Sequence, residues 1–135
     1  MAISLLSQRI VHNGFDASIR LNDYRTGSYA MTYSSGEYLY IGSFTPFNNM
    51  WIEFATASGV SSGAPLIDVR WANAWSSVVD ITDETNGMQT SGRITWSLHI
   101  DRGWDRERRS QEDAGINGTS IYNMYWMRVS WPSSF

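Results

Sequence analysis

Catalysis in a small protein needs a base or nucleophile set beside a partner, and the stock here is short: two histidines, no cysteine, and serines and threonines scattered along the chain. His99 stands on the polar side of an alternating segment with no motif around it, so it is read as a hydrogen-bonded or solvated strand residue, and His12 likewise. Glu37 and Glu53 could form the carboxylate pair of a glycan-cleaving enzyme only if the fold faced them across a cleft; otherwise they are solvated strand charges. Asp80, Asp83 and Glu84 cluster as cation ligands can, but their spacing is not that of a helix-loop-helix calcium loop. Asp83-Glu-Thr-Asn-Gly87 reads instead as a turn in which Asp and Asn side chains bond local backbone and Gly supplies a left-handed conformation. The missing cysteine removes disulfides, thiolate catalysis and Cys-ligated zinc together. The expectation is a protein that is not an enzyme, with no catalytic residue, no cofactor and no metal.

What remains is residues suited to contact. The stretch Asp101-Arg-Gly-Trp-Asp-Arg-Glu-Arg-Arg109, continuing through Glu112 and Asp113, sets four Arg around a Trp, but its acidic residues outnumber them by one. With ten Arg, no Lys and a net charge of -3, neither this loop nor the whole chain has a field that would draw nucleic acid or an anionic membrane. Arg and Trp are favoured where proteins meet, so Trp104, Arg106, Arg108 and Arg109 are candidate interface residues. Ile3 and Leu6 of the N-terminal segment and Trp131 join them. The other tryptophans read two ways: Trp96 and Trp126, on alternating apolar faces, belong to a core, whereas Trp51, Trp71, Trp75, Trp104 and Trp131 could include exposed platforms. Such platforms would stack on sugar rings in a glycan-binding module, or be buried against another subunit.

The elements that must position these residues are strands. Apolar residues make up 42% and aromatics 14% of 135 residues, enough for one core. Segment after segment alternates in polarity between turn residues. Ala17 to Tyr24 suits a strand with one wet face. Ser28 to Tyr33 and Glu37 to Gly42 predict a hairpin through Ser34-Ser-Gly36, and Leu66 to Trp71 with Trp75 to Ile81 predict a second. Met50 to Ala57 sets Ile52 and Phe54 against Trp51 and Glu53. Arg93 to Ile100 is the most regular, with Ile94, Trp96, Leu98 and Ile100 on one face. Ile121 to Trp131 is apolar on both faces, as in a central strand or one sealed by a partner. Residues 1–16, with Ile3, Leu6 and Ile10 near helical spacing, predict an arm or short helix, and residues 17–135 a single domain. The fold class expected is all-β, an antiparallel β-sandwich of immunoglobulin-like or jelly-roll type. The first ten residues lack the cationic start and apolar run of a signal peptide, and no later run approaches the ~18 apolar residues of a membrane helix. The expectation is a protein used without export by the usual route.

The run Trp75-Ser-Ser-Val-Val-Asp-Ile-Thr-Asp-Glu-Thr85, then Ser91-Gly-Arg-Ile-Thr-Trp96, Trp104 and Tyr125-Trp-Met-Arg-Val129, resembles a pattern in small structural proteins of tailed bacteriophages; Tyr40-Ile-Gly-Ser43 and Pro46-Phe-Asn48 are similar too. The resemblance covers residues 40 to 131 and rests on turn and core residues. It implies a virion component of the head, neck or tail region, without a cofactor, assembled in the bacterial cytoplasm. Its partners would be copies of itself, as a ring or trimer, and other virion proteins; a host glycan is the alternative partner.

Overall fold

The computed structural model describes residues 8–12, 15–16, 31–71, 74–98, 104, 106–107 and 124–135. These form two antiparallel sheets packed face to face, a β-sandwich. The strands are β1 (Gln8–His12), β2 (Phe15–Asp16), β3 (Leu39–Ser43), β4 (Asn49–Ile52), β5 (Leu66–Trp71), β6 (Ala74–Ser77), β7 (Val79–Asp83), β8 (Gly92–Ser97), β9 (Arg106–Glu107) and β10 (Met124–Ser130). The large sheet runs β2-β1-β3-β10-β5-β6, with β9 also paired to β10; the small one runs β4-β8-β7. Among the described residues no helix is long and apolar enough to cross a membrane.

β10 organises the molecule. It pairs with β3 along one flank, and with β9 and then β5 along the other, which is the central position expected of a segment apolar on both faces. Register then builds rows of side chains across the sheet. Ile10, Ile41, Met127, Val69 and Ser76 lie in one row; His12, Leu39, Val129 and Ile67 lie in the next. The apolar members pack on Ile94 and Trp96 of β8, with Met50 and Ile52 of β4 beside them. This is the main core. The opposite face of the large sheet carries a second cluster of Val11, Met124 and Trp126, flanked by Tyr40 and Trp75. There the Trp126 ring lies over Gly42 on β3, and a Cβ at that glycine would stand 2.9 Å from the indole.

Three expectations change. Residues 8–12, read as part of an arm or short helix, form β1 in the large sheet. Ile10 fits a period of two as well as one near four: it packs on the main core while Val11 joins the second cluster. The predicted first hairpin is replaced. β3 pairs with β1 and β10, and Tyr33 exchanges two backbone hydrogen bonds with Phe135, at 2.8 and 3.0 Å. The turn at residues 34–37 does form, closed by the Glu37 N–H donating to the Ser34 carbonyl. The predicted strand Trp75 to Ile81 is divided between the sheets. Buried Val78 donates the last hydrogen bond to Ile67 of β5, after which the chain enters β7 and pairs with β8. A register shift between Val79 and Thr82, with Asp80 at φ 56°, makes this a β-bulge. The segments 17–24 and 28–30 lie outside the described residues.

Candidate functional site

Two sheet faces carry polar and aromatic groups together. On the large sheet, one row runs through Val11, Tyr40, Arg128, Asp68 and Ser77, side by side on five strands. The Arg128 Nε donates to Asp68 Oδ2 at 2.8 Å, and the Ser77 hydroxyl donates to Asp68 Oδ1 at 2.9 Å. The guanidinium lies 4.0 Å from the Tyr38 ring centre and 4.7 Å from that of Trp75, with Arg70 also over Trp75 at 5.5 Å. Cations over aromatic faces are attracted by the ring quadrupole. Burial raises the Tyr40 phenol above its ordinary value while the adjacent Arg128 opposes the rise. Arg128 and Asp68 are each other's counterpart, and with Ser77 and Tyr40 the cluster ties β3, β10, β5 and β6 together.

The outer face of the small sheet is the more open. On β4 and the residue following it, alternation turns Met50 and Ile52 into the core and leaves Asn49, Trp51 and Glu53 exposed. Trp51 pairs directly with exposed Arg93, and Asn49 with Thr95, which is itself opposite exposed Thr82. Trp51 keeps 57% of its surface in solvent, and its indole Nε1 donates to Glu53 Oε2 at 2.7 Å. Glu84 adds a second carboxylate, whose Oε2 accepts the Arg93 backbone N–H at 3.3 Å.

Among the described residues, the groups weighed for catalysis, His12, Glu37 and Glu53, make structural contacts. His12, buried in β1, donates from Nε2 to Glu37 Oε2 at 3.0 Å, and the same oxygen accepts the Ser34 N–H at 2.9 Å. Glu37 and Glu53 are thus attached to different sheets. The Ser34 N–H first, and then His12, hold the Glu37 carboxyl below the ordinary 4.5. A carboxyl depressed in the folded state contributes stability that is complete above its unfolded value and lost as pH falls through the folded one. Melting temperature is therefore expected to fall on acidification below about pH 4.5, and Glu37→Gln to flatten that part of the profile. An unchanged profile in the variant would contradict the assignment.

Asp83 behaves as the turn residue the sequence implies. Its Oδ1 accepts from the Thr85 N–H at 2.8 Å and from the Thr85 hydroxyl, and its Oδ2 accepts from the Gly87 N–H at 2.9 Å. Gly87, at φ 68°, also meets the 61–63 loop so closely that a Cβ would stand 2.2 Å from Ser61 Oγ. Among the described residues no three His, Cys, Asp or Glu side chains gather as metal ligands.

Of the candidate interface residues, Trp104 and Trp131 are corrected as exposed platforms: they are 8% and 2% exposed. Trp104 donates its Nε1 to the Trp126 carbonyl at 2.9 Å, and Phe47 packs against both it and Trp96. Trp131 packs edge-on to Tyr33 and Phe135. The reason is tertiary: each ring lies beside β10 or its continuation, where both sheet faces are covered. Arg106 lies in β9, opposite Tyr125. Ile3, Leu6, Arg108, Arg109 and His99 lie outside the described residues. Trp71 and Trp75 are half-buried, and Trp96 and Trp126 are core as expected. Sequence reasoning missed the Tyr40-Arg128-Asp68 row. The alternation of each strand was readable; which strands stood side by side was not.

Fold and surface together define an antiparallel β-sandwich in which His12 and Glu37 are paired and whose small sheet presents an open polar face. Comparisons with protein-family models, curated proteins and solved structures found no match.

Proposed function

We propose that the chain is a non-enzymatic structural protein of a tailed-bacteriophage virion, joining or decorating other virion proteins in the head, neck or tail region. The observation that carries this reading is where the phage-like residues fall. Tyr40 to Ser43, Phe47, Trp96, Trp104 and Tyr125 to Val129 form a connected scaffold: Phe47 packs on Trp96 and Trp104, Trp104 on Tyr125, and Trp126 over Gly42. Trp75 to Thr85 supplies the crossing between sheets and the Asp83 loop. The pattern falls on core and turn residues, and we read it as the framework of an assembly component. The partners are further copies of the chain and other virion proteins, and the place of action is the particle, put together in the bacterial cytoplasm. The test is mass in solution together with binding to purified virion components. A defined oligomer that binds at least one of them is expected; a stable monomer that binds none overturns the reading.

A further inference from the structure

We propose that the outer face of the small sheet is a binding site for a neutral glycan, with Trp51 as its stacking platform. This does not rest on the virion reading.

A sugar ring presents two kinds of surface. One face carries C–H groups that pack on an aromatic ring, and the rim carries hydroxyls that both donate and accept hydrogen bonds. A matching site therefore needs an exposed, held aromatic ring among side chains of mixed hydrogen-bonding character. The small sheet has both. Trp51 is 57% exposed on a regular strand, and the 2.7 Å bond from its Nε1 to Glu53 restrains the indole. A restrained ring loses less freedom when a ligand stacks on it. Around it stand Asn49, Glu53, Arg93, Thr95 and Thr82, an amide, a carboxylate, a guanidinium and two hydroxyls.

Charge and composition select the occupant. Among the described residues of this face, Glu53 and Glu84 set two carboxylates against the one guanidinium of Arg93, so the face disfavours acidic sugars and accepts uncharged ones. A second copy of the chain is a poorer match. Among the described residues Trp51 is the one large apolar group beside these polar ones, with Val79 at the far end opposite Ser97, whereas interfaces between identical subunits are more apolar at their centres.

The test uses the full chain on an array of neutral hexose and N-acetylhexosamine oligosaccharides, with polygalacturonate as the acidic comparison. Binding to at least one neutral oligosaccharide is expected, at least about tenfold weaker for Trp51→Ala, with Trp51→Phe between. Leu66→Ala, exposed on the far side of the large sheet, is expected to bind as the parent does. Trp51 is exposed on the outer face of the sheet, so melting temperatures close to the parent's are expected and establish that the variants are folded. The proposal is overturned by failure to bind any neutral glycan, by preference for polygalacturonate, or by undiminished binding in Trp51→Ala. A change in oligomeric mass on Trp51→Ala without glycan binding would also overturn it, by assigning the face to a second copy. The virion reading is decided separately, by oligomeric mass in the parent and binding to virion components.

Discussion

Trp126→Ala is expected to destabilise the domain by about 3–5 kcal/mol, a large part of the 5–15 kcal/mol typical of a folded protein. Trp126 has no exposed surface and stands on the central strand, packed with Val11 and Met124. Its ring also fills the space over Gly42 that no side chain of β3 occupies. Alanine would leave a cavity over two strands at once, and the close packing of protein interiors lets such a cavity collapse only in part. Trp126→Phe is expected to recover most of the loss. Among the described residues the buried Trp126 Nε1 has no hydrogen-bond partner, so the smaller ring gives up packing but also removes a buried polar group. Denaturant melts of the three proteins check both points. A loss below about 1 kcal/mol for the alanine variant would mean that the ring is not the keystone of this face.

Tyr33→Phe is expected to cost about 1–3 kcal/mol through a single oxygen atom. The Tyr33 hydroxyl accepts the Trp131 N–H at 2.8 Å and lies 3.0 Å from the carbonyls of both Trp131 and Glu37, which share its one proton as acceptors. The site is buried, so removing the oxygen leaves the Trp131 N–H without that acceptor in a place water does not reach. Phenylalanine keeps the ring, and with it the stacking on Phe135 at 4.9 Å and the edge contact with Trp131 at 5.3 Å, so the variant isolates the polar contribution. Because Tyr33 and Phe135 also exchange backbone hydrogen bonds, amide exchange at Trp131 and Phe135 should accelerate more than in β8. Equal acceleration everywhere would show a global effect and no local clasp.

The same residues show what could be read before the fold was known. Ile94 and Trp96 against Arg93, Thr95 and Ser97 revealed one strand with its buried face, and the two-sided apolarity of residues 121–131 marked another as either central or sealed by a partner. Asp83 to Gly87 revealed its turn. Each is a local property: alternation follows from the period of two in an extended chain, and the turn from side chains that reach their own backbone.

The sequence by itself therefore determined the all-β class, the inward face of its regular strands and the Asp83 loop. Tertiary structure alone decided that residues 8–12 enter the large sheet, that Tyr33 meets Phe135, that Val78 marks the passage between sheets, and that Trp104 and Trp131 are buried while Trp51 is not. The reason is that a strand's own residues specify which side turns inward but not which strand lies beside it. Neighbours and register come from packing summed over segments far apart in the chain, and that sum places Arg128 between Tyr40 and Asp68.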